Sequence, residues 1–116
     1  MRTVMEFDTE SLTWQTKRDL PYALSAYSSV TDGKFIYIFG DYVQMEAIHR
    51  YDPETEELYL LDEKMTPRRH TAAVNIEGIA YVIGGNQTSS GKALTLVESF
   101  DLSRLSSGGK RISEND

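Results

Sequence analysis

Few residues of this chain have the types and spacing that catalysis or metal binding needs. His49 and His70 are the only histidines, and cysteine is absent. No carboxylate stands at metal-ligand spacing from either histidine, so both are interpreted as strand or loop residues rather than as ligands or general bases. The absence of cysteine removes disulfides, thiolate zinc sites and cysteine nucleophiles together. No cofactor and no metal are therefore expected.

Other groupings resemble sites only in composition. The acidic stretch PETEEL at 53–58 fits a solvated hairpin turn better than a catalytic cluster. Gly33, Gly40, Gly84 and Gly85 are not followed by the helix start that a phosphate-binding loop needs. The sequon at 86–88 matters only in a secreted protein. The chain is therefore not predicted to be an enzyme.

Composition bounds the partners and the compartment. The 116 residues carry a net charge of −6, and their lysines and arginines form small groups rather than a basic stripe. Nucleic acid is therefore excluded as a partner, because binding it usually requires such a stripe. No apolar run is long enough to cross a membrane, and the first residues lack a secretory signal. With cysteine absent as well, a cytoplasmic location is expected.

The chain repeats itself after about 45 residues. SAYSSVTDGKFIYIFGD at 25–41 aligns with TAAVNIEGIAYVIGGN at 71–86, and the stretch 4–14 aligns with 48–58. VESFDL at 97–102 repeats the aromatic-aspartate pair a third time. A period of this length is typical of solenoids, propellers and arrays.

Each repeat predicts short strands. FIYIF and IAYVI are continuous apolar runs, which favour strands covered on both faces. ETEELYLLDEKM at 54–65 is rich in helix formers, but its counterpart TESLTWQTK has a strand composition. Because repeats share a fold, a strand is predicted at both places. The fold class is therefore all-β, with antiparallel four-stranded propeller blades.

The ordered landmarks resemble the kelch repeat over about residues 3–102. They are Gly84-Gly85 after an apolar strand, Tyr51-Asp52-Pro53, Trp14, and the lead-in Pro67-Arg68-Arg69. The Gly-His and Trp-Asp signatures of WD40 repeats are absent. In the first repeat, Asp41 replaces the second glycine and Thr9 replaces the proline.

The resemblance implies an incomplete propeller of about two blades, with 1–24 as a partial blade, 25–62 as a blade and 71–102 as a partial blade. Residues 103–116 are expected to form a disordered polar tail. Two alternatives stay open for the missing neighbours. The chain is either a fragment or split product, or a homo-oligomer whose copies complete a propeller.

Loops at one rim are the candidate binding positions. They come from 41–46, from 86–92 and from the lead-in, where arginines of kelch adaptors often meet acidic peptides. The candidate residues are Arg68, Arg69, Tyr42, Gln44, Asn86 and Gln87. The function that follows is a protein-protein interaction module binding a protein or peptide, in substrate recognition or as a scaffold. The alternatives are a fragment of a carbohydrate-active enzyme of the sialic acid epimerase type, and a truncated product without independent activity.

Overall fold

The computed structural model describes residues 1–87 and 91–114, and strands dominate this part of the chain. All neighbouring strands pair antiparallel, which confirms the predicted all-β fold. In chain order the elements are β1 Met5–Asp8, β2 Thr13–Thr16, β3 Ser28–Thr31, β4 Ile36–Phe39, β5 Ala47–Asp52, β6 Glu57–Lys64, β7 Ala72–Ile76, β8 Ile79–Ile83, β9 Val97–Asp101, α1 Leu102–Leu105 and β10 Lys110–Arg111.

The strands form three sheets. Strands β1 and β2 pair as an N-terminal hairpin. The five-stranded sheet has the order β10-β6-β5-β4-β3, and the C-terminal sheet has the order β7-β8-β9. The last two sheets share a register, because Tyr37 lies opposite Val30 and its counterpart Tyr81 lies opposite Val74. The repeat in the sequence is thus a repeat of sheet geometry.

Aspartates form the turns of two hairpins in the same way. The carboxylates of Asp8 and Asp52 each accept hydrogen bonds from the backbone N–H groups two and three residues later. Each turn then closes through a residue with positive φ, Leu12 at 58° and Glu56 at 60°. Such self-capping stabilises a turn. The strand predicted after Glu56 is confirmed, despite the helix formers in that segment.

Two apolar clusters hold the sheets together. The larger lies between the five-stranded and C-terminal sheets, where the rings of Phe39 and Phe100 stack with centroids 5.6 Å apart. The smaller lies on the opposite face of the five-stranded sheet. There, Leu58 and Tyr51 pack with Val4 and Leu20 of the N-terminal segment. Burial of both faces explains why β4 is apolar at successive positions.

The prediction of a disordered tail at 103–116 is wrong for residues 103–114, which are the part that the structure describes. After β9, the Asp101 carboxylate accepts from the Ser103 N–H and begins α1 instead of a hairpin turn. The chain then crosses to the other sheet, where β10 pairs with β6. Leu102, Leu105 and Ile112 are buried along this path. A few well-spaced apolar residues therefore anchor a segment of polar composition.

Within residues 1–87 and 91–114, no helix has the length and apolar character that crossing a bilayer requires.

Candidate protein-binding surface

Three connecting segments meet at one end of the two large sheets. Arg69, in the β6–β7 segment, exchanges both backbone hydrogen bonds with Asn86 of the β8–β9 loop, at 2.8 and 3.0 Å. The Arg68 N–H reaches the carbonyl of Met45, in the β4–β5 loop, at 3.2 Å. These bonds bring together the segments that carry five of the predicted residues, which are called the candidate surface from here on: Tyr42, Gln44, Arg69, Asn86 and Gln87.

The side chain of Arg69 is held over Tyr42. Its guanidinium carbon lies 3.8 Å from the centroid of the Tyr42 ring, and its Nε–H donates to the Tyr42 carbonyl at 2.9 Å. A guanidinium stacked on an aromatic face gains cation–π energy and loses rotational freedom. Among the described residues, no hydrogen-bond acceptor lies against its two Nη groups. The contacts with Tyr42 thus fix the orientation of the arginine.

The carboxylate of Asp41 shapes the loop that carries Tyr42 and Gln44. This carboxylate is almost fully buried and accepts from the N–H groups of Ser25, Val43 and Gln44, at 2.9, 3.3 and 3.2 Å. Asp41 stands where the repeat would have its second glycine. In the sequence it reads as a departure from the pattern, yet it caps the loop that presents the candidate surface.

The remaining members of the candidate surface are placed by their neighbours. Gln87 is exposed, and its side-chain amide donates to the Pro67 carbonyl at 3.0 Å. Gln44 and Asn86 are half-buried. Thr88, the last residue of the sequon, and the rest of 88–90 lie outside the described residues.

Arg68 does not belong to the candidate surface, which corrects the prediction made for it. Its side chain is fully buried, and it binds the carboxylate of Glu98 and the carbonyls of Thr66 and Val82, the last at 2.9 Å. Successive residues of extended backbone point to opposite sides. Arg69 therefore faces solvent while Arg68 faces the interior. The Pro-Arg-Arg stretch alone does not predict which of the two arginines is buried.

Gly85 allows the β8–β9 loop to lie close to the β6–β7 segment. Its φ is +89°, and a Cβ at this position would lie 2.5 Å from the Arg69 carbonyl and 2.8 Å from Thr71 Cγ2. Only glycine tolerates both the conformation and the contact. At Gly84 the nearest atom would be 3.7 Å away, so the two glycines differ in what they permit.

His49 is buried and structural. Its Nε2 pairs with the hydroxyl of Tyr22, whereas its Nδ1 is buried without a partner among the described residues. Burial lowers the pKa of His49 to about 4, and the nearby charge of Asp41 opposes this only in part. His70 lies in an exposed bend with φ at 57°. The structure therefore places the two histidines apart in environment and role.

No protein-family model matches the chain. Three curated proteins are similar to most of it. They are alpha-scruin from Limulus polyphemus, 28% identical over 78% of this chain, F-box protein AFR from Arabidopsis thaliana, 33% over 74%, and Kelch-like protein 41b from Danio rerio, 28% over 88%. All three are kelch-repeat proteins.

The chain belongs to the kelch-repeat family. This confirms the resemblance carried by the double glycine and the aromatic-aspartate pairs, and the sheets have the antiparallel geometry of kelch blades. The matched regions span 10%, 23% and 18% of the three relatives. The chain thus corresponds to a tenth to a quarter of the length of these relatives.

A groove opens on one face of the five-stranded sheet, opposite the face that packs on the C-terminal sheet. It has a volume of about 340 Å³. Its floor consists of Ser29, Ile36, Ile38 and Tyr51. Its walls come from the N-terminal segment and the residues before β3: Met1, Thr3, Val4, Met5, Leu20, Leu24 and Tyr27.

Across the described ranges, no group of three or more histidine, aspartate or glutamate side chains is arranged to hold a metal ion. The chemistry that the candidate surface offers is a single oriented guanidinium beside an exposed aromatic ring and amide side chains.

Proposed function

We propose that this kelch-repeat chain is a protein-binding module whose candidate surface takes a peptide segment that carries a carboxylate. The observation that supports this most is the orientation of Arg69 by Tyr42. A guanidinium that is already fixed loses little entropy on binding, and its planar fork matches a carboxylate with two parallel hydrogen bonds. A charge-assisted bond of this kind contributes about 1.5–3 kcal/mol.

The surroundings of Arg69 suit a peptide rather than a small molecule. Tyr42 is half exposed, and Gln87 offers an exposed amide in the neighbouring β8–β9 loop. Tyrosine and arginine are typical of residues that dominate the binding energy of protein interfaces. The net charge of −6 repels an acidic partner at long range, so the local guanidinium must provide the attraction. We expect modest affinity.

Within a larger protein or assembly, such a module serves substrate recognition or acts as a scaffold. The cytoplasmic location stays a prediction. A homo-oligomer that completes a propeller also stays a proposal, and it concerns other faces of the molecule than the candidate surface.

The proposed function is tested with fluorescent synthetic peptides and anisotropy. The probes are a peptide rich in glutamate and the same peptide with glutamine at those positions. Wild-type chain should prefer the acidic peptide, and Arg69→Gln should weaken that binding by about tenfold. Arg104→Gln removes the same charge from the exposed face of α1 and should leave binding unchanged. Equal losses in the two variants, or equal binding of the two peptides, would contradict the proposal.

A further inference from the structure

Pairs of neighbouring basic residues precede a hydroxyl side chain at two places in the chain. These are RRHT at 68–71 and KRIS at 110–113, and in each the basic residues stand three and two positions before the hydroxyl. Basophilic serine/threonine kinases recognise this spacing, because acidic groups beside their active sites bind the two cations. The two stretches are alike in sequence, but the fold treats them differently.

The RRHT stretch is closed to a kinase. The Arg68 side chain is fully buried and binds the carboxylate of Glu98. The hydroxyl of Thr71 is bound to that of Ser28, with the two oxygens 2.7 Å apart. Recognition of this stretch would require the buried contacts of Arg68 to break, so the folded chain does not present it.

The KRIS stretch lies on the shortest strand of the fold. Lys110 and Arg111 are exposed, and together they form the whole of β10. After them, the Ile112 N–H donates to the Leu58 carbonyl at 2.9 Å, and Ser113 is half-buried. Pairing over so few residues opens locally while the rest of the sheet stays folded. A kinase can then receive this stretch as an extended segment.

Carboxylates outnumber guanidiniums around Ser113. This serine lines a cavity of about 160 Å³. The charged side chains that line the same cavity are four carboxylates and two guanidiniums: Asp19, Glu56, Glu57, Glu114, Arg18 and Arg111. Both guanidiniums already have acceptors, since Arg18 donates to the Thr55 carbonyl at 3.3 Å and Arg111 lies 3.4 Å from Glu57. A further negative group at this position therefore meets more repulsion than attraction.

We infer that Ser113 is a phosphorylation site for a basophilic serine/threonine kinase, and that phosphorylation releases residues 110–114 from β6. The Ser113 hydroxyl oxygen attacks the γ-phosphorus of kinase-bound ATP, the bond to ADP breaks, and the hydroxyl proton passes to the base of the kinase. The new group carries a charge of about −1.5 to −2 at pH 7, among the four carboxylates. Release of β10 leaves the outer edge of β6 unpaired.

The site is tested on the folded full chain with ATP and a purified kinase of this class, and tandem mass spectrometry locates the phosphate. Ser113 should be modified, and Thr71 should not. Synthetic peptides of 67–73 and 108–114 are the unfolded reference, and both should be modified. Lys110→Ala, which removes one exposed cation, should slow modification of Ser113 by about tenfold.

Release is measured by hydrogen exchange of the Ile112 N–H, resolved by nuclear magnetic resonance. Its protection should be at least about tenfold lower in the phosphorylated chain than in the unmodified chain. Ser113→Glu should lower protection more than its uncharged match Ser113→Gln. Ser107→Glu adds the same charge at an exposed serine outside β10 and should leave protection as in wild type. Circular dichroism melts establish that the variants fold.

Three outcomes overturn the inference. One is a folded chain whose Ser113 stays unmodified while the peptide of 108–114 is modified. Another is modification of Thr71 as fast as that of Ser113 in the folded chain. The third is a phosphorylated chain in which Ile112 keeps or gains protection, because the phosphate then stabilises the segment instead of releasing it. The cavity at Ser113 contains no residue of the candidate surface, so this test is separate from that of the proposed function.

Discussion

Arg68 and Glu98 form a largely buried ion pair that ties the β6–β7 segment to the C-terminal sheet. Arg68 lies in the β6–β7 segment with its side chain fully buried, and Glu98 lies on β9 with its side chain 25% exposed. The same guanidinium binds the Val82 carbonyl on the central strand of the C-terminal sheet. The connection between repeats is therefore fixed by charge as well as by apolar packing.

Removing the carboxylate should leave the Arg68 charge uncompensated. We expect Glu98→Gln to lower the free energy of unfolding by about 2–4 kcal/mol, because a lone buried charge costs more than the pair contributes. Arg68→Met, which removes the charge itself, should cost less than Glu98→Gln. Urea denaturation of both variants measures this difference. Equal stability of Glu98→Gln and wild type would contradict the account.

The ion pair also predicts that the folded chain loses stability at acidic pH. Desolvation opposes ionisation of Glu98, but the hydrogen bonds from Arg68 and the Thr66 N–H outweigh it and hold the pKa below its usual range. A carboxyl with a depressed folded-state pKa adds stability above its unfolded pKa, and that stability is lost as the pH falls below it. The stability of wild type should fall below about pH 4.5, and the stability of Glu98→Gln should fall less steeply over the same range.

His49 should make the folding stability depend on pH in a higher range than Glu98 does. Its pKa is about 4 in the folded state against 6.5 ordinarily, because the ring is buried. The unfolded chain therefore takes up the proton first, and stability should fall as the pH drops from 6.5 toward 4, by about 3 kcal/mol in all. His49→Gln should flatten this part of the stability profile. His70→Gln, at an exposed bend, is the control, and identical slopes for wild type and His49→Gln would refute the prediction.

Gly85 should be less replaceable than another glycine with similar φ. Gly85→Ala places a methyl group against the Arg69 carbonyl and Thr71, so we expect a loss of about 3 kcal/mol or more in unfolding free energy. Gly78 has φ +86° with open space around the added atom, so Gly78→Ala should cost only about 1–2 kcal/mol of backbone strain. Similar losses at both positions would show that the close approach at Gly85 does not matter.

Arg50 should anchor the C-terminal segment. Its guanidinium is buried between the rings of Phe35 and Tyr59 and donates to the carbonyls of Leu105 and Gly108, at 2.8 and 3.0 Å. Arg50→Met leaves both carbonyls without a donor and should cost about 2–4 kcal/mol.

The control for Arg50 is Arg111→Met, which breaks the exposed pair with Glu57 and should cost less than about 1 kcal/mol. Hydrogen exchange of residues 105–112 should accelerate in Arg50→Met alone. Unchanged protection of that segment would mean that apolar burial, and not Arg50, holds it.

The repeating strands could be predicted from the sequence because each follows from local chemistry. FIYIF and IAYVI are apolar at successive positions, and Asp8 and Asp52 begin turns that depend only on their own backbone. The strand at Glu57–Lys64 was predicted by comparison between repeats, although its composition favours a helix. Periodicity in the sequence therefore carries more information here than intrinsic propensity.

Side-chain direction and the C-terminal path could not be predicted in the same way. Arg68 and Arg69 are identical in type, and only the tertiary position of Glu98 and Tyr42 decides which is buried. The segment after β9 is mostly polar, and Arg50, which binds two of its carbonyls, is 55 residues away from Leu105. Long-range contacts of this kind leave no local pattern.

The central claim is that Arg69 recognises a carboxylate on a peptide partner. Reversal of its charge tests this most directly, with anisotropy of the glutamate-rich peptide and of its lysine-rich counterpart against Arg69→Glu. The account predicts that wild type prefers the acidic peptide and that Arg69→Glu prefers the basic one, with Arg104→Glu keeping the wild-type preference. An Arg69→Glu variant that still binds the acidic peptide as wild type does would contradict it.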